Sequence, residues 1–194
     1  MAVHAIGISA AFLQGEPLKR EVFLKPPRDA CSAGFVWKLK RCIYGLNDAP
    51  RSWYEKVRKT LLALGATVSS FDNCLFMWHK DGILSGVLVS HVDDFAFAGT
   101  EIFHKNVIGS LNMSLKIGSY VKDNFQYLGL QFKQSRDAIV IHQSKYIDSI
   151  EPILIDPKRV SDDSLELTHD ELMNLKRLSG QMNWVVTQTR QMFA

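Results

Sequence analysis

The chain has 194 residues, enough to bury one sizeable hydrophobic core. Its 46% hydrophobic and 22% charged residues are the balance of a globular protein and exclude a disordered or low-complexity chain. A net charge of +3 permits a nucleic-acid partner without arguing for one, because strong binders carry clustered excess charge.

Taken in order, residues 2–6 predict a short strand that Gly7 breaks, and residues 9–14 a helical turn closed by Gly15. Residues 21–24 predict a strand stopped by Pro26 and Pro27, which cannot donate to a ladder. Residues 36–41 alternate apolar and basic, so one strand face is expected in the core. The other face is a row of positive charge, open to two readings: a solvated face or a phosphate-facing one. Asp48 is placed to cap a helix with Pro50 in its first turn, ending near Leu64 at Gly65. Trp53, Val57, Leu61 and Leu64 recur on it at helical spacing.

Residues 75–78 and the apolar run 83–89 predict a hairpin turned by Asp81-Gly82. The run leads into Asp93 and Asp94, and residues 95–98 leave them and stop at Gly99. Both flanking runs are short and rich in β-branched or aromatic residues, so a second hairpin is expected with both acids at its tip. Thr100 is placed to cap a helix over 101–115, with Phe103, Val107 and Leu111 on one face. Residues 125–132 alternate as a strand, with 138–141 as its hairpin partner, and 146–150 predict a short helix. Residues 152–167 are acidic and irregular, and Thr168 to Glu171 form a capping-box pattern that opens a last helix to about Thr187. There is no internal repeat. Hairpins mixed with helices, without regular βαβ alternation, favour an α+β fold: an antiparallel sheet with helices on one face.

No apolar run is long enough to span a membrane, and the N-terminus lacks the basic flank of a signal peptide. Cys31, Cys42 and Cys74 are odd in number and have no CxxC spacing, so they are expected as reduced thiols. The expectation is an intracellular protein, cytoplasmic or nuclear, with no membrane partner.

Two adjacent carboxylates repel each other and are costly to desolvate. A hard divalent cation beside them offsets that cost and prefers their oxygens. Aspartates are equally at home in a solvated turn. On the acidic pair alone both readings stand.

Longer motifs decide between them. Ala11-Phe12-Leu13-Gln14-Gly15, Glu21-Val22-Phe23, the run from Ile43-Tyr44-Gly45-Leu46 through Ala49-Pro50-Arg51-Ser52-Trp53-Tyr54, and His91-Val92-Asp93-Asp94 follow one another in a familiar order. Together, from about Ile6 to Arg190, they resemble the palm region of copia-type retrotransposon reverse transcriptases. The resemblance implies a palm-like antiparallel sheet with helices packed on one face and a C-terminal helical segment. It implies an RNA-directed DNA polymerase that transfers nucleotides onto a primer 3′-OH with two magnesium ions. Template–primer and deoxynucleoside triphosphates would be the partners, and the oligomeric state stays open. Asp93 would ligate the metal and Asp94 support it. Phe12 would lie beneath the incoming sugar, or else be an ordinary core aromatic. Tyr44 and Gly45 would line the template–nucleotide pair, where glycine allows close approach. Arg51 would neutralise a phosphate or be an exposed helix charge, and Tyr127, Leu128 and Gly129 would form the primer grip.

The departures from the family pattern carry their own expectations. Alignment on Ala11-Phe12-Leu13 puts the first-motif aspartate, the third metal ligand, at Gly7, and no nearby acid replaces it. His91 stands where an aromatic usually precedes the acidic pair. The basic fingers segment is not found ahead of the first motif, and Gln191 to Ala194 depart from the family after Thr189-Arg190. The expected organisation is a truncated palm domain over 1–150, a linker over 151–167, and over 168–194 a helix that starts the connection. Impaired catalysis is expected, with a non-catalytic nucleic-acid-binding or scaffold protein and the product of a decayed element as alternatives.

Overall fold

In the central strands of the chain, bulky side chains alternate with small ones, and this period of two builds a sheet with one thickly covered face. The computed structural model describes residues 1–27, 29–30, 34–160 and 164–189. Cys31 and the stretch 190–194 lie outside the described residues. The chain divides into two compact units, Met1–Asp123 and Asn124–Ala194.

The first unit holds a six-stranded antiparallel sheet. Its strands are β1 (Val3–Ile8), β4 (Thr67–Val68), β5 (Leu75–Lys80), β6 (Ile83–His91), β7 (Asp94–Gly99) and β8 (Ile117–Lys122), ordered β4-β5-β6-β7-β1-β8. Phe76, Trp78, Leu88, Phe95, Phe97, Ile6 and Ile8 are buried on one face of it. Two helical segments share that core. One is α2 (Ala49–Ala63), which contributes Trp53, Val57 and Leu61. The other runs as α3 (Glu101–Phe103), a π-helical turn (His104–Ile108) and α4 (Gly109–Ser114), and contributes Phe103, Val107, Ile108 and Leu111. Phe103 sits so close to the sheet that a Cβ on either Gly86 or Gly99 would come within 2.2 Å of its ring. Those two glycines exist because a helix aromatic lies directly on the strands. The π-turn begins one residue later and shifts the helix face by one extra residue.

Local signals placed most elements. Asp81 and Gly82 both have positive φ, 52° and 77°, as a tight hairpin of that sequence requires. The Thr100 hydroxyl accepts from the Phe103 N–H and caps α3. The helix beginning at Ala49 has its N-cap at Asp48, but that carboxylate caps nothing; it accepts two bonds from Arg20 at 3.0 Å.

Four expectations are corrected. Gly7 does not break the first strand: β1 passes through it, paired with Asp94 on one side and Ser119 on the other. The 36–41 strand shrinks to β3 (Trp37–Lys38), paired with β2 (Phe23–Leu24), and it puts no face in the core. Val36 and Trp37 are exposed, while Lys38 reaches Glu21 and lies over the Phe23 ring. Residues 125–132 are two strands, because Leu128 and Gly129 take positive φ and turn the chain between β9 (Asn124–Tyr127) and β10 (Leu130–Gln134). Finally, β8 had no counterpart in the sequence reading. Its residues are mostly exposed, so it lacks the alternation that marks a half-buried strand.

The second unit is a three-stranded sheet in the order β11-β10-β9, with β11 spanning Ile139–His142. Phe125 and Phe132 stack across β9 and β10 with ring planes 3° apart. Helices α5 (Ser144–Asp148), α6 (Pro157–Val160) and α7 (His169–Thr189) follow. Thr168 and Glu171 close the capping box reciprocally. Gln143 is buried, and its side-chain amide lies 2.8 Å from the Thr189 hydroxyl of α7. Among the described residues no helix is long and apolar enough to cross a membrane.

Candidate functional site

The acidic pair sits at the β6–β7 hairpin, but only one acid is in the turn. His91 pairs with Asp94, so the two-residue tip is Val92-Asp93 and Asp94 opens β7. Valine at this tip has φ 51°, a backbone state that β-branched residues rarely adopt. Such a residue typically costs about 1–3 kcal/mol and persists only where its surroundings over-determine it.

The surroundings here are three donors, one on α2, one on β1 and one in the turn that precedes α2. The Trp53 indole N–H, from α2, donates to the Val92 carbonyl at 2.6 Å. The Ile8 amide, at the end of β1, donates to the Asp93 carbonyl at 2.7 Å. The Tyr44 hydroxyl donates to Asp93 Oδ2 at 3.3 Å. Tyr44 in turn packs on Phe12, with ring centroids 4.5 Å apart. Phe12 is buried in the core cluster, where Ala10, at φ 49°, turns the chain into the short helix α1 (Ala11–Gln14). Gly45 follows with φ 95° and nothing within 4 Å of where a Cβ would stand. Its neighbourhood is open.

Gly7 lies directly across the ladder from Asp94. A Cβ there would stand 3.6 Å from Asp94 Oδ1 but only 2.7 Å from the Ser119 hydroxyl, which accepts from the Gly7 N–H at 3.1 Å. The structure thus faces position 7 toward the acidic pair and puts a serine hydroxyl against it. Ser119 went unnoticed in the sequence because its strand did.

The electrostatics follow from this crowding. Burial pushes the Asp94 carboxyl up from its ordinary value, the Asp93 charge pushes it further, and His91 partly opposes both. Tyr44 is also raised, by burial first and then by the Asp93 charge and hydrogen bond. The two carboxylates thus make the tip a region of negative charge.

The sequence candidates therefore divide. Asp93, Asp94, Tyr44, Phe12 and position 7 are linked through contacts at one place. Arg51, on α2, is exposed and is engaged by Glu55 one turn on, at 3.0 Å. Tyr127, Leu128 and Gly129 form the β9–β10 turn of the second unit.

Two adjacent carboxylates suit one magnesium ion, which keeps water or phosphate oxygens in its remaining positions. A fixed pair of ions needs a further carboxylate, and position 7 carries no side chain to supply one. Among the described residues no three His, Cys, Asp or Glu side chains cluster as a ligand set.

A family model described as reverse transcriptase (RNA-dependent DNA polymerase) matches residues 1–154. The chain belongs to the reverse transcriptase family. Within it, the chain is similar to retrovirus-related Pol polyproteins of copia-type transposons. It is 29% identical over 148 residues to that of transposon RE2 from Arabidopsis thaliana, covering 74% of this chain and 10% of the relative. It is 29% identical over 150 residues to that of transposon RE1 from the same plant, covering 75% and 10%. For transposon TNT 1-94 of Nicotiana tabacum the identity is 27% over 158 residues, covering 77% and 12%. The chain thus spans about a tenth of the length of these relatives.

Proposed function

We propose that this chain is a palm-type polymerase domain whose nucleotidyl transfer is impaired at one ligand position. Asp93 would ligate magnesium and Asp94 support it; when bound, the ion neutralises charge on the phosphates during transfer. Tyr44 orients the Asp93 carboxylate through its hydroxyl. Phe12, backing the Tyr44 ring, sets the floor on which a nucleotide sugar would rest, and the open backbone at Gly45 leaves room for the template–nucleotide pair. Arg51 is offered to a phosphate at the expense of its pairing with Glu55, and the turn at Tyr127 to Gly129 to the primer end. Template–primer and deoxynucleoside triphosphates are the substrates this reading implies.

One observation carries the impairment: position 7 faces Asp94 across the ladder with no carboxylate of its own. Phosphoryl transfer between two fixed ions needs ligands for both. The test is magnesium-dependent primer extension by the chain and by its Gly7→Asp variant. Extension by the variant alone supports the reading. Extension by the unaltered chain refutes the impairment.

A second reading, a non-catalytic nucleic-acid binder, draws on the ribbon of β2 and β3. There Phe23 and Trp37 are exposed beside Lys38, and exposed aromatics with adjacent cations suit stacked bases and phosphates. Steeply salt-dependent binding to primer–template without extension by the chain or by its Gly7→Asp variant would favour it.

A further inference from the structure

The hairpin tip is held in a backbone state that valine avoids, and the contact that holds it comes from a helix outside the hairpin. Val92 has φ 51°, and its carbonyl is turned back to the buried Trp53 indole, 2.6 Å away. The next carbonyl, on Asp93, is tied to β1 through Ile8. Two consecutive peptides of a two-residue turn are thus anchored to two separate elements, and the side chain between them is the one that faces Tyr44. A relaxed turn would let the 92–93 peptide rotate and carry the Asp93 carboxylate with it.

We infer that Trp53 is a positioning residue: its indole N–H holds the strained Val92 peptide and thereby fixes where Asp93 presents its carboxylate. The inference rests on the reading of Asp93 and Asp94 as a cation-binding pair. It adds that their geometry is set from α2, by a residue that touches neither carboxylate in the contacts above. The same brace forms one wall of a cleft of about 280 Å³, lined by Trp53, Tyr54, Val57, Cys74, Ser90 and Val92 among others.

The test uses the full chain with manganese as the probe cation, its binding measured by electron paramagnetic resonance. Trp53→Phe keeps an aromatic side chain, smaller than the indole, and removes the donor. Val92→Gly removes the steric objection to positive φ and leaves the indole intact. A purely structural role predicts that stability and cation binding fall together. The positioning role predicts that they separate. Val92→Gly, with the indole bond in place, keeps parental manganese affinity. Adding it to Trp53→Phe raises that variant's melting temperature while manganese stays bound at least fivefold more weakly than in the parent. In Trp53→Phe the Ile8 amide should exchange its hydrogen at least tenfold faster, because the tip it bonds is released.

Asp93→Asn separates the two layers of the argument. If it abolishes manganese binding while Trp53→Phe retains parental affinity, the positioning role is overturned and the cation site stands. If the parent and Asp93→Asn bind manganese equally, the cation reading fails. The Ile8 exchange rate then decides alone whether Trp53 fixes the tip, and an unchanged rate in Trp53→Phe overturns the inference.

Discussion

At the scale of single residues, the candidate site turns on Gly7 and Ser119. Adding an aspartate at position 7 is not a simple restoration, because the new Cβ would meet the Ser119 hydroxyl at 2.7 Å. That is closer than a Cβ atom ordinarily approaches a hydroxyl oxygen. The hydroxyl sits one rotatable bond from its backbone, so it can swing aside, but doing so gives up its bond from the Gly7 N–H. Gly7→Asp alone should therefore lower stability by about 1–3 kcal/mol, the usual range for overpacking. The Asp94 carboxyl 3.6 Å away adds like-charge repulsion until a cation arrives. In the double variant Gly7→Asp/Ser119→Ala the steric part disappears. Thermal melts should recover part of the loss without magnesium and more with it. Magnesium should raise the melting temperature of the double variant more than that of the unaltered chain, since only the variant offers three carboxylates. Equal magnesium shifts in the two would mean that position 7 does not reach the ion.

Among whole elements, the helix α7 offers a pH-dependent case that stands apart from the site. Its capping-box glutamate, Glu171, is held by Arg159 through two bonds of 2.8 and 2.9 Å, and by the Thr168 amide at 2.7 Å. The Arg159 hydrogen bond first, and the Thr168 amide next, bring its carboxyl from 4.5 down to about 2. A depressed carboxylate stabilises the folded helix above its unfolded value and loses that contribution as pH falls through its folded value. The helical signal of α7 should thus weaken between pH 4.5 and about 2 in circular dichroism. Glu171→Gln should be less helical at neutral pH and nearly flat across that acid range.

This element was legible in advance because a capping box is written in four adjacent residues. So were α2, the Asp81-Gly82 turn and the Thr100 cap. What stayed hidden depended on partners distant in the chain. Nothing local says that Gly7 lets strands approach, and only the pairing with Ser119 and Asp94 shows it. The strand β8 is exposed and gave no alternation. Residues 125–132 do alternate, but left-handed Leu128 and Gly129 fold that pattern into a hairpin. The ribbon at Trp37 kept its alternation without a core to receive it. Within the site, the acids and Tyr44 were readable from motifs, whereas the Trp53 brace required the fold.

For the molecule as a whole, the distribution of the core makes the sharpest claim. Every residue of the main hydrophobic cluster, from Ile6 to Ile117, belongs to the unit Met1–Asp123, as do all six strands of the larger sheet. A unit with its own core and complete sheet meets the physical requirement for folding by itself. Its six strands pair with one another, and removing residues 124–194 deletes no member of that cluster. The fragment 1–123 should therefore be monomeric enough for study and melt in a single cooperative transition. Because Asp93, Asp94, Tyr44, Trp53 and Ile8 all fall within it, its manganese affinity should match that of the full chain within about twofold, a difference under 0.5 kcal/mol. A cooperative melt with lost cation binding would place a necessary part of the site in the second unit. A fragment without a cooperative melt would show that the sheet needs residues beyond 123 to hold its edges, and that the core of the first unit depends on the rest of the chain.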